Sequence, residues 1–220
     1  QRVQQPANLD IRRLNAITRK LLASPRRLRY PIVKCSRTID IHAGSGYRRL
    51  TGEVDEVKAY GMRGLALLRR GDAPSRGNVT TERVVHLLDS LCKSYRLQVR
   101  SPHAAETLAA AHGLDDVYPI LVIVHEVKKG IFTSAQLKHV REHGGLCLKT
   151  SLTMDAESVY KSLISRDLKV PTEKTLLGHV AWLREMMHIG TVSNARWCDT
   201  RDMAAAGHTK GSIGIYCSRS

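Results

Sequence analysis

LCLKTSLTMDAESVYKSLIS, residues 146–165, places the two periods of secondary structure side by side. Apolar and polar residues alternate over 146–154, the period of a half-buried strand, and helical spacing takes over across 156–165. Asp155 stands at the junction. A carboxylate there either projects over the C-terminal edge of a sheet or caps the following helix. Downstream, Pro171-Thr172-Glu173 starts a helix through Met187 with His179, Trp182, Leu183 and Met186 on one face, and 193–198 reads as a last short strand. Upstream come three strand-like runs: 29–42, broken near Ser36; 60–68; and 84–91, with 97–99 beyond it. GDAPSRGNVTT (71–81) is a turn-rich connection. Ser101-Pro102 opens an Ala-rich helix over 102–112 that Gly113 closes, and a second helix follows over 116–129. A third helix, 133–143, ends at Gly144-Gly145. Strands first, then helices alternating with two further strands, predict a mixed α/β sheet and exclude a solenoid or a bundle.

The chain has 220 residues, 35 Lys+Arg against 20 Asp+Glu and a formal charge of +15. That length suits one domain, or one domain with an appendage, and 42% hydrophobic residues suffice for a core. No apolar run approaches the ~20 residues that span a bilayer; the best is 118–127. There is neither an initiator Met nor a signal-peptide pattern, so we expect a piece of a longer intracellular product rather than a secreted protein. The five cysteines (Cys35, Cys92, Cys147, Cys198, Cys217) never form C-x-x-C. They point to a reducing compartment and read as small buried hydrophobes. The charge predicts a polyanionic partner, nucleic acid before an anionic membrane surface. With aromatics at 5% and one Phe, backbone recognition of a duplex is favoured over base stacking. Residues 1–30 carry eight basic side chains and one acid, Asp10. Leu9, Ile11, Leu14, Ile17, Leu21 and Leu22 recur among them at helical spacing. This is a basic amphipathic helix that Pro25 ends.

HAGSG (42–46) follows a strand but lacks the Gly-Lys-Ser/Thr ending of a phosphate loop, so it reads as a turn between strands. No G-x-S-x-G marks a serine nucleophile. Glu106 lies among Ala104, Ala105, Leu108 and Ala109. It belongs on the solvent face of its helix, or else needs a partner or a metal, because a lone buried carboxylate is costly. Two-metal nucleases gather several carboxylates from different elements around Mg²⁺ ions about 3.5–4 Å apart.

WCDTRDMAAAGHTKGSI (197–213) resembles the terminal motif of the ribonuclease H domain in copia-type retrotransposon polyproteins: a strand carrying Trp, a polar turn, then Ala-Asp-x-x-Thr-Lys. RSPHAAET (100–107) resembles its Ser-x-x-Ala-Glu helix, LTMDAESV (152–159) its strand-then-Asp motif, and PTEKTLLGHVAWLRE (171–185) the helix before the last strand. HAGSGYRRL (42–50) resembles the opening strand, where the family has Ser-Asp-Ala and then aromatic and basic residues. The resemblance covers 28–213. Residues 1–27 resemble the connection from a reverse transcriptase domain, and 214–220 remain as a tail.

The resemblance implies a ribonuclease H-like α/β fold, a mixed central sheet of about five strands flanked by helices. It further implies four acidic residues that bind two Mg²⁺ (or Mn²⁺) ions and cut the RNA strand of RNA–DNA hybrids. Glu106 and Asp155 match two of the four. The other two positions fall at Gly44 and Ala206. Asp40, four residues before Gly44 on the same strand face, is a possible substitute, while Asp202 matches a separate motif position. The expectation is therefore weak metal binding, with cleavage lost or severely reduced. The candidate phosphate contacts are Arg48, Arg49, Lys174 and Lys210, and the expected partners are an RNA–DNA hybrid and the reverse transcriptase domain of the same polyprotein, with no membrane. A non-catalytic nucleic-acid-binding module is the alternative. A partner-facing cluster of His125, His139 and His143 is a third, weaker reading.

Overall fold

The computed structural model describes residues 15–16, 19, 22–23, 38–50, 58–70, 85–95, 99–167, 171 and 173–205. The chain divides into two compact units, Gln1–Ile32 and Val33–Ser220. In the first, residues 15–16, 19 and 22–23 are helical, in line with the periodicity there. The expected strand over 29–37 and the connection 71–81 lie outside the described residues.

The second unit is built on strands β1 (Thr38–Leu50), β2 (Lys58–Arg70), β3 (Val85–Ser94), β4 (Lys149–Met154) and β5 (Val192–Trp197). They form one sheet in the order β3-β2-β1-β4-β5. The β1–β2 and β2–β3 pairs are antiparallel, and β4 and β5 continue the sheet in parallel. Helices α1 (Pro102–Lys129), α2 (Ser134–His143), α3 (Glu157–Ile164) and α4 (Leu177–His188) complete it. This is a mixed five-stranded sheet flanked by helices, the α/β architecture that the order of elements predicts.

Two expectations fail for reasons that shape the site. Residues 42–46 are not a turn. They run on inside β1, with Gly44 opposite Gly64 on β2, because a long antiparallel ladder satisfies the backbone on both sides of the glycines. Nor does Gly113 end a helix: α1 is continuous over 28 residues. A Cβ at Gly113 would lie 2.9 Å from both Ile41 Cγ2 and Leu65 Cδ1, so glycine is what lets α1 settle onto β1 and β2. The small face of the same helix, Ala104, Ala105, Ala109, Ala110 and Ala111, is buried with it.

Other local readings hold. Ser101 caps α1 by accepting from Ala104 N at 3.1 Å. Thr133 and Gln136 form a reciprocal capping box on α2, and Gly144, at φ 76°, follows its end. The helix expected from Pro171 starts later, since a 3₁₀ turn, Lys174–Leu176, precedes α4, whose Val180, Leu183 and Met186 enter the core. His179 and Trp182 of the predicted face stay half-buried. The main core gathers Ile39, Ile41, Leu67, Leu114, Leu152 and Leu183 between sheet and helices. By length and apolar composition, α1 alone among the described helices would qualify to cross a membrane, but ten of its residues are buried inside the fold. That is the pattern of a core helix.

Candidate active site

β4 runs parallel to β1 with His42 opposite Thr153. Continuing this register by two residues brings Asp155, just past the end of β4, level with Gly44. The geometry agrees: a Cβ built on Gly44 would lie 3.9 Å from Asp155 Oδ1, 3.9 Å from Met203 Cγ and 4.0 Å from Ala205 Cβ. Asp155 is not the cap of α3, since Ala156 holds that position without a side-chain bond. Instead its Oδ2 accepts from Thr200 Oγ1 at 2.9 Å, and its backbone oxygen accepts from Trp197 Nε1 at 3.1 Å. The sheet-edge reading of this carboxylate is the one the structure follows.

Glu106 reaches the same place from α1. It is half-buried, and both of its carboxylate oxygens accept from Ser45 N at 3.0 Å. The solvent-face alternative therefore fails, and a charged acceptor on a backbone donor compensates the burial. Glu106 touches the nitrogen and Asp155 faces the α-carbon of one Gly44–Ser45 unit. With standard backbone dimensions, the two carboxylates lie no more than about 10 Å apart. They come from different elements and converge on one strand position.

The electrostatics follow from this crowding. Burial first, and then the Glu106 charge, push the Tyr95 phenol up against the opposing pull of Arg63. The Tyr95 hydroxyl donates to Ala105 O at 2.6 Å, one residue before Glu106. Burial, followed by Asp155, Asp202 and Asp199, raises the Cys198 thiol. That thiol stays protonated at neutral pH.

The donor set does not fit a two-metal magnesium centre. Gly44 offers no side chain, and a thioether carbon and a methyl group lie where its side chain would point. Mg²⁺ demands oxygen donors in near-octahedral array. Among the described residues no group of three or more His, Cys, Asp and Glu side chains is placed to hold a metal ion.

The remaining predicted residues are scattered. Asp40 is buried (6% exposed) on the Gly44 face of β1, opposite Leu68 and Ser151. Four residues of strand separate it from Gly44 by about 13 Å, so it does not replace the missing carboxylate. Arg48 and Arg49 continue β1 beyond Gly44, opposite Tyr60 and Ala59. Lys174 is exposed in the 3₁₀ turn, where Leu176 packs on Val99, Ala104 and Ala105 and so sets this turn beside the first turn of α1. A cleft of about 1120 Å³ opens there, lined by Arg100, Ser101, His103, Ser158, Lys161 and Glu173 among others. Asp202 is exposed in a second 3₁₀ turn, Thr200–Asp202. Ala206 and Lys210 lie outside the described residues.

Cys92 is exposed and Cys147 and Cys198 are half-buried free thiols, which corrects the expectation of buried cysteines. His125 stacks on Phe132 and accepts from Cys147 N, so it serves packing, whereas His139 and His143 stack on each other along α2. Sequence reasoning missed Thr200 and the Ser45 backbone. A hydroxyl in the polar turn after β5 was the available signal for the first; the second has none, because a backbone N–H carries no residue identity.

No protein-family model and no curated protein matches the chain. Among solved structures it is similar to the N-terminal RNase H domain of a Mycobacterium tuberculosis protein, solved as a fusion with maltose binding protein (15% identity, 81% of this chain and 94% of that one, TM-score 0.45). It is also similar to LC11-RNase H1 in complex with an RNA/DNA hybrid (15% identity, 80% and 96%, TM-score 0.44). A third is a foamy viral protease-reverse transcriptase in complex with dsDNA (8% identity, 83% and 96%, TM-score 0.46).

Proposed function

We propose that this chain is a ribonuclease H-like domain of copia-type retroelement descent that engages RNA–DNA hybrids and has lost the means to cut them. The observation that carries the reading is the convergence of Glu106 and Asp155 on Gly44 from separate elements. Such convergence of carboxylates from different elements is what a two-metal hydrolase requires. With a full set of acids, metal ions would activate water and stabilise the leaving oxygen; this chain lacks that set. Its own residues do something else. Glu106 holds β1 to α1 through Ser45, Thr200 fixes the Asp155 carboxylate, and the positive charge supplies phosphate contacts. Lys174 beside α1, Arg48 and Arg49 on β1, and Lys210 are the proposed contacts.

In this reading residues 1–27 lead from a reverse transcriptase domain, 28–213 form the hybrid-binding domain, 214–220 are a tail, and the protein works inside the cell. The test is binding of a fluorescent RNA–DNA hybrid across a salt series, with cleavage followed in parallel in Mg²⁺ and Mn²⁺. The expected result is binding whose log K falls linearly with log salt, without cleavage. A flat salt dependence would overturn the binding half of the reading. Cleavage by the unaltered chain would overturn the loss.

A further inference from the structure

Trp197 is the last residue of β5 and one of two tryptophans in the chain, and it is 49% exposed. The other, Trp182, packs against the core. An indole normally hides its large apolar faces, and when it is left half in water at a sheet end it is available to a ligand. The Trp197 ring is not loose. Its Nε1–H donates to Asp155 O at 3.1 Å, which fixes one edge and leaves part of the ring surface in solvent. A ring ordered before binding has already lost the freedom that binding would otherwise remove.

Its location is specific. Register sets Trp197 opposite Met154 on β4, one residue before Asp155, and β4 lies between β5 and β1. Two strand spacings separate β5 from β1, about 10 Å. Nucleotides in a strand rise about 3.4 Å each, so about three nucleotides span the distance from β1 to β5 at this sheet end. Arg196, the preceding residue, is also exposed and offers charge on the same strand end.

We propose that Trp197 is a nucleotide contact whose exposed ring surface takes the flat face of a nucleobase in the strand crossing this sheet end. The proposal rests on the hybrid-binding reading above. Bases inside a duplex are already stacked on both faces, so the base is either the terminal one of a hybrid or an unpaired one beyond it.

The experiment measures affinity of the full chain and of Trp197→Phe and Trp197→Ala for a blunt hybrid and for the same hybrid with a single-stranded overhang. Tryptophan fluorescence of the unaltered chain is read in the same titrations. We expect quenching on binding, a loss of about 5- to 150-fold for Trp197→Ala, and a change below about 3-fold for Trp197→Phe, which keeps a flat ring. A larger loss with the overhang assigns the contact to an unpaired base, and an equal loss assigns it to the terminal pair.

Equal binding by the unaltered chain and Trp197→Ala, without quenching, overturns the proposal and leaves hybrid binding standing. If Trp197→Phe loses as much as Trp197→Ala, the hydrogen bond to Asp155 is what matters and stacking is refuted. If the unaltered chain binds neither hybrid, the hybrid-binding reading fails and takes this proposal with it. Should Trp197→Ala fail to fold, the quenching and the Trp197→Phe affinity decide.

Discussion

Glu106 and Asp155 stand on walls that the rest of the molecule holds in place, whereas Gly44 between them carries no side chain and has Met203 and Ala205 beside it. The Glu106 wall is α1, seated through Gly113 on Ile41 and Leu65 and tied to Ser45 by the carboxylate itself. The Asp155 wall is the end of β4, held by Thr200 and Trp197 from the segment around β5. The floor between them has ordinary van der Waals room and no oxygen donor. The walls also support the fold, and a change in them costs stability. Gly44 has room for a small side chain without damage to the fold, whereas Ala205 is buried in the core.

The comparison breaks most visibly at the seat of α1. Gly113→Val drives a branched side chain into Ile41 and Leu65 and should cost about 3 kcal/mol, read as a urea midpoint shift. A near-neutral result would mean that α1 is not held close to the sheet. Glu106→Ala strips a charged acceptor from Ser45 N and should cost about 2 kcal/mol in the same assay, with Glu106→Gln in between. Thr200→Val removes one exposed hydroxyl bond to Asp155 and should cost about 1 kcal/mol. Gly44→Ala is the control for the floor. The nearest atom to the new Cβ would be 3.9 Å away, so stability should be unchanged or rise by about 0.5 kcal/mol.

Acid titration sharpens the same contrast, because two perturbed histidines sit on α1. Burial lowers His103 below its ordinary 6.5, with Glu173 pulling the other way. Burial and then Arg63 do the same to His112, next to Asp115, Asp116 and His179. The unfolded chain therefore takes up these protons first as pH falls through about 6.5. Their contribution to stability is complete above that pH and is lost below it. The pH dependence of the urea midpoint between 7 and 5 should flatten in His103→Gln and His112→Gln. An unchanged slope in both variants would show that neither histidine is buried neutral.

Local patterns carried much of this into the sequence. The strand and the helix of 146–165 are there with the carboxylate between them, although β4 begins at Lys149 and residues 146–148 stay outside it. Ser101, Thr133 and Gly144 act as the caps their chemistry suggests. What stayed hidden depends on partners far along the chain. Gly113 reads as a helix stop until β1 and β2 come within 2.9 Å of its missing Cβ. Gly44 and Gly46 read as a turn until a ladder on β2 takes their backbone groups. The Ser45–Glu106 bond joins residues 61 positions apart. Asp40 shares a face with Gly44 because strands repeat every two residues, but that period says nothing of the distance along the strand, which keeps Asp40 from the site.

The most direct measurement restores the two acids that the family resemblance expects at Gly44 and Ala206. RNA–DNA hybrid cleavage in Mg²⁺ is compared between the unaltered chain and the double change Gly44→Asp plus Ala206→Asp, with Gly44→Asp alone as an intermediate. In the single variant the new carboxylate faces Asp155 Oδ1, so like-charge repulsion should lower its stability and Mg²⁺ should recover it. We expect no cleavage by the unaltered chain and metal-dependent cleavage by the double variant, a gain of at least about 100-fold. A folded double variant that neither binds Mg²⁺ nor cuts would contradict the claim that these walls once enclosed a hydrolytic centre.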